Sequence, residues 1–205
     1  MEIKERIKQK ADELYRRYGV KAVTMDEIAG QLGVSKKTIY QSFSDKNELV
    51  DAVIDDMLKF NRDCCLTYRH DSENAIHEVF LAMEMLQVMF NNMNSSILFD
   101  IERNHPDTFK KFKEFKYKFL YDTIRENIER GIREKLYRPE INVDVVIKVR
   151  LETIMLPFND EIFPKNKFSL VALQKELIEL FLFGIASLKG YEVILKYQKK
   201  FRFAG

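Results

Sequence analysis

The sequence contains no tryptophan, only four prolines and seven glycines, and two cysteines that are neighbours, Cys64 and Cys65. A disulfide between neighbours is strained and closes no loop, so a disulfide scaffold is excluded and reduced thiols are expected. The few prolines and glycines leave no flexible linker rich in these residues. With 205 residues, 46% of them hydrophobic, the chain is expected to form a small N-terminal domain and a larger body with its own core.

Long apolar segments are also missing, and a secretory leader is not expected. The longest apolar stretch, Leu177–Leu188, is interrupted by Glu179 and is shorter than a membrane-spanning helix. The N-terminus carries charge from Glu2 onward, which is unlike a signal peptide. We therefore expect a cytoplasmic protein with no membrane partner.

Patterns for catalysis or metal binding are absent as well. The three histidines, His70, His77 and His105, do not have the spacing of a metal site, and no cluster of cysteines or carboxylates completes a ligand set. No nucleophile–base pair, glycine-rich phosphate loop or paired-carboxylate pattern is recognisable. We expect no enzymatic activity, no metal and no cofactor.

The spacing of apolar residues after Phe43 is helical almost throughout, which predicts an all-α fold. Asp45 and Glu48 predict the capped start of a long helix that continues to about Arg69. Further helices are expected in the rest of the chain, which would form a helical bundle.

The last long helix is expected over residues 169–189 and is apolar on nearly every side. A helix with this composition is buried on nearly all sides, and a body of this size offers too little surface to cover it. We therefore predict a homodimer formed through this helix and the helix near residues 143–156, four helices meeting around a two-fold axis.

The most informative segment begins at Thr24. Thr24 and Glu27 predict a capping box, in which each side chain accepts a hydrogen bond from the other residue's backbone N–H at the start of a short helix. Gly33 can adopt the left-handed conformation that ends such a helix. Ser35 is a favourable N-cap for a second helix over about Lys36–Ser42. The pattern indicates a helix-turn-helix.

The second helix of this pair has two different faces. Ile39 and Phe43 have the spacing to pack on the first helix, whereas the opposite face carries Lys36, Lys37, Thr38, Tyr40 and Gln41. No acidic residue lies between Glu27 and Asp45, which favours the approach of a phosphate backbone. A short helix with an apolar back and a polar, basic front fits the DNA major groove. Two capped helices joined by a glycine also occur in proteins that do not bind DNA.

The same segment resembles the DNA-binding domain of TetR/AcrR-type transcriptional regulators. The resemblance rests on many spaced positions that agree at once, namely Ile7, Ala11, Leu14, Tyr15 and Gly19, then Thr24, Ile28, Ala29, Leu32–Lys36, Thr38–Tyr40, Phe43, Lys46 and Leu49. Two positions depart from the family's pattern, Lys37 where glycine is common and Ser42 where His or Tyr often precedes the phenylalanine. Both lie on or near the helix that would read DNA, so they bear on which operator is read.

The resemblance implies an N-terminal three-helix DNA-binding domain over residues 1–46 and a helical-bundle domain for effector binding and dimerisation over residues 47–205. It implies DNA contacts from Lys36, Lys37, Tyr40, Gln41 and Lys46, and Thr24, Ser35 and Thr38 are expected to contact DNA as well. Tyr40 and Lys46 resemble the family's phosphate contacts. Lys46 is also expected at a helix N-terminus, which favours anions.

The chain's 16 phenylalanines and eight methionines suit an irregular apolar pocket. The resemblance implies that such a pocket, for a small hydrophobic effector, is lined by Met83, Met89, Phe90, Met93, Phe99, Phe112, Phe119, Tyr121 and Met155. The same residue types at helical spacing also form ordinary cores.

The leading hypothesis is therefore a ligand-responsive transcriptional repressor that a small hydrophobic effector releases from a palindromic DNA operator. One alternative is a DNA-bound adaptor that acts through a protein partner without an effector. A second is a small-molecule carrier or enzyme with an incidental helix-turn-helix.

Overall fold

The computed structural model describes residues 2–91 and 93–201, and helices are the only regular secondary-structure elements in these residues. This confirms the all-α fold class. The α-helices are α1 (Ile3–Tyr18), α2 (Met25–Leu32), α3 (Lys36–Ser42), α4 (Lys46–Asp71), α5 (Ala75–Phe90), α6 (Ile97–Asn104), α7 (Pro106–Glu114), α8 (Tyr121–Arg133), α9 (Val143–Thr153), α10 (Leu170–Ile185) and α11 (Leu188–Lys200). A π-helical segment, Phe115–Leu120, precedes α8, and a 3-10 turn, Leu156–Phe158, follows α9. Among the described residues, none of these helices is long and apolar enough to cross a bilayer.

The described residues fall into two compact units. The first unit lies within Met1–Phe60 and Asn92–Glu114, and the second lies within Asn61–Asn91 and Phe115–Gly205. Helices α6 and α7 therefore belong to the same unit as α1, α2 and α3, although they are distant in sequence. The predicted boundary between residues 46 and 47 separates the DNA-binding domain from the effector-binding domain. This functional division stays a prediction.

The core of the first unit is built by one face of each N-terminal helix. The residues of α1 that carry the family resemblance are the ones it buries, and α2, α3 and the start of α4 bury matching apolar residues. These core residues are Ile7, Ala11, Leu14, Tyr15, Ile28, Ala29, Ile39, Phe43, Leu49 and Val50. Their spacing of three or four residues is the helical pattern read from the sequence.

The segment that leads into α6 is attached to the end of α1 within the first unit. The backbone N–H of Asn94 donates to the carbonyl of Arg16 at 2.6 Å, and the Asp100 carboxylate accepts from the Lys21 N–H at 3.1 Å. Gly19 has a φ of +84°, and a Cβ added there would lie 2.8 Å from Asp100 Oδ2. The backbone conformation therefore favours glycine, and the Asp100 side chain would have to shift to accept a Cβ there.

Helix α7 is attached to α4 in the same unit through two carboxylates. The Thr108 hydroxyl donates to Asp51 at 3.1 Å, and Lys111 donates to Asp51 and to Asp55, both at 2.7 Å. The sequence contained no signal for these pairings, since they join residues almost sixty positions apart.

The core of the second unit joins α5, α8, α9, α10 and α11. Its fully or almost fully buried side chains are Ile76, Phe80, Ile128, Tyr137, Ile147, Leu151, Ile178, Leu182 and Ile194. These residues come from all five of these helices and, with Tyr137, from the segment after α8, and they form one continuous core.

The single helix predicted over residues 169–189 is wrong. Helix α10 ends at Ile185, and α11 begins at Leu188. Ser187 is the N-cap of α11, and its hydroxyl accepts a hydrogen bond from the Gly190 N–H at 3.0 Å. The break is stabilised by pairing with another segment, because the Ser187 N–H donates to the Leu136 carbonyl and the Arg138 N–H donates to the Ile185 carbonyl, both at 2.9 Å. Tertiary hydrogen bonds therefore replace the helical ones that the sequence pattern predicted.

Candidate nucleic-acid interface

Helix α2 begins with half of the predicted capping box. The Thr24 hydroxyl accepts a hydrogen bond from the Glu27 N–H at 3.1 Å, as predicted. The reverse hydrogen bond, from the Thr24 N–H to the Glu27 carboxylate, is not formed in the part of the chain that the structure describes. One cap is sufficient to satisfy a free N–H of the first turn, and the Glu27 side chain is left exposed.

The turn between α2 and α3 is as predicted. Gly33 has φ +66° and ψ +32°, the left-handed conformation that ends a helix at little cost only for glycine. The Ser35 hydroxyl caps α3 by accepting from the Thr38 N–H at 3.1 Å, and the hydroxyls of Ser35 and Thr38 lie 2.8 Å apart. These local interactions fix the direction in which α3 leaves the turn.

The two predicted faces of α3 are confirmed. Ile39 and Phe43 are 0% and 1% exposed, so this side of the helix is held in the core. Tyr40 is 49% exposed, and Lys36, Lys37 and Gln41 are exposed as well. The structure thus presents a polar, basic helix surface on a rigidly packed support.

One lysine of this surface is already paired. Lys36 Nζ lies 2.5 Å from Asp26 Oδ2, and this hydrogen bond is the main reason why the pKa of Lys36 is raised. The sequence offered no signal for the pair, because it depends on how α2 and α3 cross. Lys37 forms no ion pair within the described residues. Helix α3 therefore carries one lysine that is paired with a carboxylate and one that is not.

The start of α4 is capped by two hydrogen bonds. The Glu48 N–H donates to the Asp45 carboxylate at 2.9 Å, and the Glu48 carboxylate accepts from the Ser44 N–H at 2.7 Å. The second bond is the main reason why the pKa of Glu48 is lowered. The capped start predicted from Asp45 and Glu48 is confirmed.

Lys46 is the first residue of α4 and is half-buried. Its burial lowers the pKa of the ammonium group, while the negative charges of Asp100 and Glu27 act in the opposite direction. A partly dehydrated cation at a helix N-terminus is well placed to attract an anion, since the free N–H groups there add to its positive potential.

The residues predicted to line an effector pocket are divided between the two units. Met83, Met89, Phe90, Phe119, Tyr121 and Met155 belong to the second unit, whereas Met93, Phe99 and Phe112 belong to the first. Met83 and Phe90 are buried, Phe99 is 62% exposed, and the Tyr121 hydroxyl donates to Asp144 at 3.0 Å. Their role in binding an effector stays a prediction.

Comparison with known proteins identifies the N-terminal domain. Residues 7–53, which include α2, α3 and the start of α4, match the bacterial regulatory proteins of the tetR family. An uncharacterized HTH-type transcriptional regulator of Bacillus subtilis, YvaF, is 24% identical over 168 residues, which cover 80% of this chain and 86% of that protein.

Two solved structures share the fold over nearly the whole chain. A TetR-family transcriptional regulator from Marinobacter aquaeolei superposes with a TM-score of 0.73 at 14% identity, covering 98% of each chain. SmeT, the repressor of the multidrug efflux pump SmeDEF of Stenotrophomonas maltophilia, superposes with a TM-score of 0.67 at 12% identity, covering 92% of each chain. The helix-turn-helix geometry agrees with the family match, and residues 7–53 form a DNA-binding domain of the tetR-family type.

Proposed function

We propose that this regulator is a repressor that binds a palindromic DNA operator as a homodimer and leaves it when a small hydrophobic effector binds the C-terminal domain. The observation that carries the proposal is the anchored helix α3, with Ile39 and Phe43 in the core and Lys37, Tyr40 and Gln41 exposed on the other side. A helix of this kind fits a major groove. That SmeT is a repressor supports repression here. Because an operator-binding protein acts on DNA inside the cell, we propose that it works in the cytoplasm.

The polar residues of the interface divide into two proposed roles. Tyr40 and Lys46 contact phosphates, Tyr40 through its hydroxyl and Lys46 through its charge at the start of α4. Thr24 presents the N-terminus of α2 to a further phosphate. Lys37 and Gln41 lie on the exposed side of α3 and reach base edges or the adjacent backbone. Lys36 has to break its ion pair with Asp26 before it can contact DNA.

Ser35 and Thr38 complete the proposed interface. Their hydroxyls lie 2.8 Å apart, and the Ser35 hydroxyl caps α3. Both therefore position the N-terminal turn of α3, and each hydroxyl keeps further hydrogen-bonding capacity for DNA.

The dimer is proposed to form through α9 and α10. Val145 and Val149, one turn apart on α9, are 54% and 58% exposed, and Leu180 on α10 is 68% exposed. Apolar side chains in such a row are typical of a surface that another subunit covers. A two-fold axis through this surface would place two copies of α3 for successive major grooves, which lie about 34–36 Å apart.

Glutamate at Val149 should therefore convert the dimer into a monomer at micromolar concentration, because it places a charge at the centre of an apolar interface. The measurement is size-exclusion chromatography with light scattering. Val88→Glu is the matched control, since Val88 is 79% exposed on α5 and lies outside the proposed interface. A dimer that survives Val149→Glu, or a wild-type protein that is already monomeric, contradicts the proposed interface.

An effector can release DNA only if it binds the DNA-free conformation more tightly than the DNA-bound one. The required coupling between the two sites is of the order of 1–3 kcal/mol. The effector signal is proposed to travel along α4, a continuous helix of 26 residues that contributes to both compact units.

Selection of bound duplexes from a random pool tests the proposed function directly. The full-length protein should enrich a palindrome whose half-site centres lie one helical turn, about 10 base pairs, or a multiple of it apart. A screen of apolar compounds should then find some that release the enriched duplex. No enrichment, even at low salt, contradicts DNA binding, and enrichment of a site without two-fold symmetry contradicts the dimeric operator complex.

A further inference from the structure

The second unit contains a buried cation without an acidic partner. Arg150, on α9, is only 8% exposed. Its partners among the described residues are the Thr153 hydroxyl, 3.5 Å from Nη1, and the ring of Phe181, whose centroid lies 5.5 Å from Cζ. Neither partner is a carboxylate. Burial lowers the pKa of Arg150 to about 10, so the guanidinium still carries its charge at neutral pH.

This environment is unusual for an arginine. Fully buried arginines are normally paired, because an uncompensated charge in a protein interior is costly. Arg130 of the same unit shows the ordinary solution, with Glu134 at 2.8 Å, Glu78 at 3.3 Å and the Ser72 hydroxyl at 2.6 Å. Arg150 is more deeply buried than Arg130 and has only a long hydrogen bond and a ring contact.

A second polar group at the contact between α9 and α10 is also incompletely satisfied. Gln174, on α10, is 3% exposed, and its amide nitrogen donates to the Ile154 carbonyl at 3.0 Å. Its Oε1 atom is buried and accepts no hydrogen bond within the described residues. Ile154 is the C-cap of α9 and follows Arg150 by four residues, so both polar groups lie where the C-terminal end of α9 meets α10.

The other residues that α9 and α10 bury are apolar. Ile147 and Leu151 on α9, and Ile178 and Leu182 on α10, are at most 2% exposed. Phe181 lies directly against the guanidinium. A molecule that reaches Arg150 would therefore meet a positive charge that lies beside an aromatic ring.

We infer that the contact between α9 and α10 recognises the head group of the effector, and that the effector is an apolar molecule with a carboxylate that pairs with Arg150. The guanidinium fork matches a carboxylate with two parallel hydrogen bonds. This inference rests on the proposed function, in which an effector binds the C-terminal domain. It adds a charge requirement to the hydrophobic effector expected from the sequence.

Three probes with the same ten-carbon chain test the charge requirement: decanoate, decan-1-ol and decylamine. With the full-length protein, calorimetry and thermal shift should show saturable binding of decanoate, at least tenfold weaker binding of decan-1-ol and weaker binding still of decylamine. In Arg150→Met the preference for decanoate over decan-1-ol should fall below twofold. Arg133→Met, which changes an exposed arginine of α8, should leave the preference unchanged.

The Arg150→Met variant is expected to fold, because replacing an unpaired buried charge by an apolar side chain of similar length removes a cost. Arg150→Lys is the second variant, since it keeps the charge but lacks the planar fork, and it should show an intermediate preference. If Arg150→Met does not fold, the test is the preference for decanoate over decan-1-ol in the wild type and in Arg150→Lys. An equal preference in these two proteins would contradict pairing of the carboxylate with the Arg150 guanidinium.

Equal binding of all three probes to the wild type, or an undiminished preference in Arg150→Met, overturns the inference. Binding of decanoate that depends on Arg150 but does not release the operator duplex supports the site and contradicts the effector response. Release of the duplex by decan-1-ol and decanoate alike, also in Arg150→Met, contradicts the site and supports the response.

Discussion

Alanine at both Lys37 and Lys46 should weaken binding of the selected duplex by about a thousandfold at about 0.1 M salt, because a dimer then loses four cations near phosphates. A plot of log K against log salt has a negative slope, and each lost phosphate contact makes it shallower by about 0.9. The magnitude of the slope should therefore decrease by about 3–4. Fluorescence anisotropy over a salt series measures both quantities. Binding to a duplex of unrelated sequence should weaken as well, because phosphates are common to all sequences.

Three variants distinguish this electrostatic effect from a general defect. Tyr40→Phe removes a hydrogen bond but no charge, so affinity should fall while the slope stays unchanged. Lys36→Ala should have a smaller effect than Lys37→Ala, because Asp26 neutralises Lys36 before DNA arrives. Lys196→Ala, at an exposed position of α11, is the charge-matched control and should change neither quantity. An unchanged slope in the double variant would remove these lysines from the interface.

Alanine at Gly190 should destabilise the protein by about 3 kcal/mol or more, or prevent folding. A Cβ built on Gly190 lies 1.9 Å from the carbonyl oxygen of Leu136 and 2.9 Å from its carbonyl carbon. These are backbone atoms, so no side-chain rotation relieves the clash. The same carbonyl accepts the Ser187 N–H at 2.9 Å, so the peptide cannot move away without breaking the turn that starts α11.

Gly30 offers the matched control for this substitution. It also lies within a helix, α2, and a Cβ added there meets nothing within 4 Å. Gly30→Ala should therefore raise the free energy of unfolding by up to about 1 kcal/mol, the difference in helix propensity between the two residues. Chemical denaturation at equal protein concentration measures both variants. A Gly190→Ala protein as stable as the wild type would show that α11 does not pack on the Leu136 carbonyl as described.

The recognition surface could be predicted from the sequence because its determinants are local. Thr24, Gly33 and Ser35 act on backbone groups no more than five residues away, and each of them begins or ends a helix where the sequence indicated. The spacing of Ile39 and Phe43 fixes which side of α3 is buried. These interactions need no knowledge of the remaining chain.

The features that the sequence did not reveal depend on distant segments. The Asp26–Lys36 pair requires the crossing of α2 and α3, and the attachment of Asp100 to Lys21 joins positions 79 residues apart. The break at Ser187 arises from hydrogen bonds to residues 135–138. In each case a long-range contact outweighs a local preference or adds a partner that spacing cannot indicate.

The amino-acid sequence alone determined the helix class, the helix-turn-helix with its caps, and the polar face of α3, because these follow from interactions within one or two helical turns. Only the tertiary structure decided which lysine is free, where the C-terminal helices separate and that Arg150 is buried. Burial and ion pairing depend on which segments come together in space, and the free energy of a charged group depends on all of its neighbours.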